Sequence, residues 1–221
     1  MKKSLIAFMA LAGVAAAETL TFEVVRDQNA VTFEFDEATA QEVLTLTYTD
    51  WTYSGGGNNN VGSWQSPSNA AYQNSFSPDA QLRSGSSDSW TMNFTVTNNT
   101  EEEITLTQFT FDAYGINGGG SDKNAKIPVT LTLGQVSTSI ELAYGGSTST
   151  GTLDLTGDNA ITIGANETVT LALTMSNAKT YNTYSGITAG SVTYGNLVPE
   201  PATATLSLLA LAGLAVRRRR K

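Results

Sequence analysis

The chain has 221 residues, with 12 Lys and Arg against 20 Asp and Glu, a formal net charge of −8, and neither histidine nor cysteine. Without histidine there is no Ser-His-Asp triad and no imidazole ligand for zinc. Without cysteine there is no thiol nucleophile, thiolate metal site or disulfide framework.

The first element is an export signal. Lys2 and Lys3 precede an apolar stretch from Leu5 to Val14, and Ala15-Ala16-Ala17 follows just before Glu18. A charged start, a short apolar centre and a small-residue exit are the parts of a secretory signal peptide. Residues 1–17 are therefore expected to direct Sec export and to be removed by signal peptidase, leaving a mature chain that begins near Glu18.

From there the dominant pattern is alternation. Leu20, Phe22 and Val24 interleave with Thr19, Thr21 and Glu23, and Val31, Phe33 and Phe35 do the same with Thr32 and Glu34. Trp90, Met92, Phe94 and Val96 alternate with Thr91, Asn93, Thr95 and Thr97. Val129-Leu131-Leu133, Ile140-Leu142-Tyr144 and Val169-Leu171-Leu173-Met175 repeat the pattern. A period of two with one apolar face predicts half-buried antiparallel strands, and threonine on the wet face suits the extended backbone. Gly- and Asn-rich turns at short intervals make the predicted fold all-β: an antiparallel β-sandwich or jelly roll over residues 18–197. Parity changes between Leu106 and Phe109, which predicts a bulge near Gln108. Residues 36–43 read as a short helix with Asp36 as its N-cap. Two long loops are expected, 54–89 and 114–126, and long loops in compact domains tend to be functional or disordered.

The aromatic residues around the first loop suggest one kind of site. Trp51, Tyr53, Trp64 and Tyr72 lie close in sequence, with Asn58-Asn59-Asn60 between them. Flat rings cover the apolar faces of sugars while amides and carboxylates meet the hydroxyls, so these four aromatics are candidate glycan-binding residues. Trp90 sits on the apolar parity of its strand and reads as core. Trp64, in a polar loop, is hardest to explain by packing.

No cofactor is expected, and a structural calcium ion is the one candidate. Asp122-Lys123-Asn124 begins like a calcium loop, but Lys126 occupies the next ligand position, while Asp158 in Gly157-Asp158-Asn159 could belong to a two-ligand turn but fits a simple hairpin turn better. Glu34-Phe35-Asp36 resembles the opening of the E-x-D-x-x-E signature of laminarinase-like sandwich glycosidases, yet Thr39 stands where the last acid is required and the next is Glu42. No catalytic residue is assigned, and the chain is not expected to be an enzyme. The order of features at 90–97, 104–114 and 169–175 is similar to carbohydrate-binding jelly-roll modules, without a motif that would transfer binding residues.

The chain ends with Pro199-Glu200-Pro201, an apolar run at 202–216, and Arg217-Arg218-Arg219-Arg220-Lys221. The apolar run spans about 22 Å as a helix, short for a bilayer core of about 30 Å but extensible by snorkelling arginines. The basic cluster keeps its end cytoplasmic and everything before it outside. Motif, membrane segment and basic terminus together resemble the PEP-CTERM sorting tail of diderm bacteria, over residues 198–221. That resemblance implies an exosortase as processing partner, transient inner-membrane anchoring through a single C-terminal transmembrane helix, and delivery to the cell surface or beyond.

Between the two end signals, residues 18–198 hold five basic residues against nineteen acidic ones, a net charge of −14. Such a surface argues against nucleic acid as partner, since phosphate binding requires clustered Lys and Arg. The expectation is an exported, non-catalytic structural or adhesive protein of an exopolysaccharide envelope. The alternative is a lectin-like module with a polysaccharide partner.

Overall fold

The structure is a computed structural model that describes residues 17–37, 39–57, 59–65, 72–116, 126–143, 148–176, 178 and 182–196. In chain order the elements are β1 (Glu18–Asp27), β2 (Ala30–Phe35), α1 (Ala40–Val43), β3 (Leu44–Ser54), β4 (Asn59–Trp64), β5 (Pro78–Ala80), β6 (Ser89–Asn98) and β7 (Ile104–Ile116). They continue with β8 (Lys126–Leu133), β9 (Val136–Ala143), β10 (Ser149–Asp154), β11 (Ile161–Ile163), β12 (Thr168–Ser176) and β13 (Tyr184–Asn196).

Two antiparallel sheets form because each strand has one apolar face to bury. The first runs β10-β7-β13-β1-β2, with β11 also on β7; the second runs β3-β6-β12-β8-β9; β4 and β5 make a separate ribbon. Taken without β2 and β3, the orders β1-β13-β7-β10 and β6-β12-β8-β9 are those of an eight-stranded jelly roll. Phe94 on β6 meets Phe33 of the opposite sheet at 5.5 Å and Phe109 at 6.1 Å between ring centroids. Phe22, Phe94, Phe109, Phe111 and Trp90 are buried with them, each side chain stabilising by about 1.5–3 kcal/mol through area removed from water.

Parity is kept by bulges. Between Tyr48↔Phe94 and Asp50↔Asn93 the residue Thr49 is extra, so Leu46 and Trp51 both face inward although five positions apart. Thr107 is extra between Leu106 and Gln108, one residue from the predicted bulge, and Thr188 is extra in β13. Each inserted residue turns the next side chain to the other face.

Four expectations are corrected. The helix expected over 36–43 shrinks to one turn, Ala40–Val43, with Thr39 at its N-cap and no side-chain cap bond. Asp36 instead accepts a hydrogen bond from the Thr21 hydroxyl. The 54–89 loop contains β4 and β5, and the 114–126 loop is shortened from both sides by β7 and β8. Gly157-Asp158-Asn159 is a 3-10 turn between β10 and β11, which both pair with β7, so it kinks one sheet edge and does not close a hairpin. Among the described residues no helix is long and apolar enough to cross a membrane. The expected signal peptide at 1–17 lies outside the described residues but for Ala17, and the expected tail at 198–221 lies wholly outside them, as do Asp122, Asn124 and Tyr144.

Candidate functional site

The sandwich has two poles. Strand directions place the starts of β1, β3, β7 and β12 and the ends of β6 and β13 at one pole. The β1–β2 turn, the β4–β5 ribbon and residues 72–88 lie at the other.

The second pole holds the candidate aromatics. Trp64 is half-buried and meets Trp51, Tyr48 and Phe76 at 6.2, 6.4 and 5.6 Å between centroids. Trp51 is 6% exposed, and its indole Nε1 is buried with no partner among the described residues. The free face of Trp64 carries the Arg26 guanidinium, 5.3 Å from the ring centroid. Arg26 follows Phe22 and Val24 on the inward parity of β1, so its charge must be met within the fold. Its Nε, Nη1 and Nη2 donate to the carbonyls of Ser75, Gln28 and Gln73 at 3.2, 2.9 and 2.8 Å. Tyr72, 7% exposed, stacks on Tyr114 at 4.2 Å, and Ser75 Oγ lies 2.7 Å from the Tyr114 hydroxyl. The Tyr53 hydroxyl donates to the Gln81 carbonyl at 3.1 Å and accepts from Gly57 N at 2.8 Å. Trp51, Trp64 and Tyr48 thus form one cluster, whereas Tyr72 and Tyr53 belong to separate contacts.

Residues 72–76 are pinned closely to β13. The Phe76 and Ile187 backbones exchange hydrogen bonds, and a Cβ on Gly186 would run into the Phe76 carbonyl and the Tyr114 hydroxyl, so glycine is required there. Asp88, whose side chain is 2% exposed, accepts from Arg83 Nε and Nη2 at 2.7 and 3.0 Å and from Gly56 N at 3.1 Å. The Arg83 side chain is the main cause that holds the Asp88 carboxyl well below the usual carboxylate range. Burial, with Asp50 nearby, pushes the Tyr48 phenol up to about 12. Both shifts lead away from neutrality, the wrong direction for a general acid or base.

An open depression of about 450 Å³ lies on the outer side of the first sheet, lined by Glu23, Val24, Val25, Asn74, Ser75, Thr188 and Ala189. The bulge at Thr188 forms part of its wall. Glu34 stands directly opposite Glu23 in the β1–β2 ladder. Asp36 and Glu34 sit exposed at the sheet edge, with Thr39 and Glu42 at α1. Among the described residues no group of three or more acidic side chains could hold a metal ion, and Asp158 is exposed in its turn.

The first pole is where the chain leaves the domain. β1 and β13 pair from Glu18↔Tyr194 onward; the Tyr194 hydroxyl donates to Glu18 Oε2 at 2.6 Å, and the Thr19 and Thr193 hydroxyls lie 2.9 Å apart. Buried Asn98 ties the two sheets together here. Its Nδ2 donates to the carbonyls of Glu102, Gly164 and Ile163 at 2.7, 2.9 and 3.2 Å, and its Oδ1 accepts from Thr100 N at 3.0 Å. Alternation gave no sign of Phe76 or Asp88, whereas a polar group on the apolar parity of its strand could have marked both Arg26 on β1 and Asn98 on β6.

Residues 197–221 match the PEP-CTERM protein-sorting motif, the mark of an exported protein that an exosortase processes. No curated protein matches the chain. Among solved structures, a ruminal GH26 endo-β-1,4-mannanase is similar at 13% identity over 52% of this chain, with a TM-score of 0.27. The chain spans 18% of that enzyme's length, and a likeness at that score carries no argument about fold or activity.

Proposed function

We propose that this chain is a non-catalytic surface or extracellular-matrix protein, secreted by the Sec route, trimmed by signal peptidase near residue 17, anchored briefly in the inner membrane and then cut by an exosortase. The observation that carries the reading is the sorting motif at 197–221. Further support comes from the chemistry of the domain. It has no histidine or cysteine, its shifted groups titrate away from neutrality, and its half-buried Trp64 is already covered by Arg26. A surface of hydroxyl side chains on a strongly acidic domain suits a structural or adhesive role in a hydrated polysaccharide envelope, where self-repulsion keeps copies dispersed.

The test is expression of the full chain in a host with and without an exosortase, followed by mass analysis of the external protein. A tail-free external species that requires both the enzyme and intact Pro199-Glu200-Pro201 is the expected result. Equal external release without the enzyme, or from a Pro199→Ala/Glu200→Ala/Pro201→Ala variant, overturns the sorting reading. Recovery of the external protein free in the medium, with none bound to the envelope polysaccharide, overturns the matrix assignment.

A further inference from the structure

β13 is an interior strand of its sheet, flanked by β7 and β1, and it ends at Asn196. The sorting motif begins at the next residue, 197. No spacer separates the folded sheet from the tail. Leu197 to Pro201 are the five residues between the end of the strand and the apolar run at 202–216, and five residues reach at most roughly 17 Å when fully extended. The thirteen residues of β13 span about 43 Å at strand rise, so the other pole stands farther from the exit point than the leash can extend.

The β1–β13 register adds a second constraint. Glu18, beside the expected signal-peptidase site, is paired with Tyr194. Both membrane-directed segments of the precursor therefore leave the domain side by side, from neighbouring strands at the same pole.

We infer that this pole is the membrane-facing surface of the tail-bearing protein, seated against the lipid headgroups until the tail is cut. The inference rests on the sorting reading, and it specifies which surface meets the bilayer. The charge distribution supplies the other half of the picture. Glu18, Glu42, Glu101, Glu102, Glu103 and Glu167 are all exposed at this pole. The three cations among the described residues, Arg26, Arg83 and Lys126, all lie toward the opposite pole, at strand ends paired or bonded far from Asn196. An acidic rim gains nothing from an anionic lipid surface, so the tail alone holds the domain there, and cutting it frees the domain from the bilayer.

The absence of cysteine makes single-cysteine labelling clean. Glu102→Cys and Glu167→Cys report on the membrane-facing pole, and Asn29→Cys and Ser84→Cys on the opposite one. Each full-length variant is held in native membranes without the exosortase and treated with a bulky polyethylene-glycol maleimide. Labelling at 102 and 167 is expected to be slower than at 29 and 84 by about an order of magnitude, because a leash of roughly 17 Å leaves little clearance for the reagent. A flexible insertion of about twelve Gly and Ser residues after Asn196, reaching roughly 20 Å, should restore the rate at both sites. Equal labelling at both poles, or slow labelling that the insertion leaves unchanged, overturns the inference. Because the contrast is read in uncut protein, it stands apart from the processing test: loss of exosortase dependence there sinks the sorting reading and leaves this comparison to be read on its own terms. Sedimentation of the tail-free protein with phosphatidylglycerol vesicles at low salt would also count against the release step.

Discussion

The two poles of the sandwich are built on different principles. The pole that emits the tail is short-looped and acidic, and it is closed by one buried amide, Asn98, that bonds carbonyls from two connections. The opposite pole is long-looped, carries the described cations and is closed by aromatic packing around Phe76, which meets Tyr48, Trp64 and Trp90. The difference teaches that one jelly roll can be sealed at one end by hydrogen bonds and at the other by apolar area. The two seals should fail under different perturbations.

The largest effect is expected from Phe76→Ala. Phe76 is fully buried, and its loss should cost about 3–5 kcal/mol, read as a lowered midpoint in urea; hydrogen exchange should increase first in residues 72–88. A loss below about 1 kcal/mol would mean that the loop pole contributes little to the fold. Next is Asn98→Ala, which strips buried carbonyls of their donor and should cost about 1–3 kcal/mol. If Asn98→Asp is tolerated as well as wild type, the donated hydrogen bonds are not what close that end.

The smallest effect is a dependence on pH at the loop pole. Asp88 has its folded pKa depressed by Arg83, so its contribution is complete above the unfolded value of about 4 and is lost as pH falls toward the folded one. Thermal melts should show the gap between wild type and Asp88→Asn narrowing steadily below about pH 4. A gap that stays constant with acidification would show that Asp88 acts through shape alone.

Much of the fold was legible because alternation is a local signal: Phe22 and Val24, or Trp90 through Val96, declare their faces without reference to anything distant. The bulge beside Gln108 was legible too, since Leu106 and Phe109 are large enough to expose a broken parity, and the bulge at Thr49 leaves the same kind of break between Tyr48 and Trp51. The third, at Thr188, lies between Ile187 and the small residues Ala189 and Gly190, which carry too weak a parity to break. β4 and β5 were hidden in Gly-, Asn- and Pro-rich sequence, because what makes them strands is the pairing of Trp64 with Pro78, not propensity. At the candidate site, the polar loop made Trp64 look hard to explain by packing, yet its ring packs on Tyr48, Trp51 and Phe76 under the Arg26 guanidinium. Arg26 as its cover depends on the turn that brings Gln28, Gln73 and Ser75 together, a tertiary event. Asp88 looked like any loop carboxylate.

The pairing of β1 with β13 has a kinetic consequence. Glu18 and Tyr194 stand 176 positions apart, so the first strand has no partner on one side until nearly the whole domain has been made. Loop closure over such a separation is slow, and folds dominated by distant pairings mature late. A chain whose opening strand waits for its closing strand completes its first sheet only after the last segment has been made. The topology thus sets the timing: consolidation of the first sheet waits for the final strand.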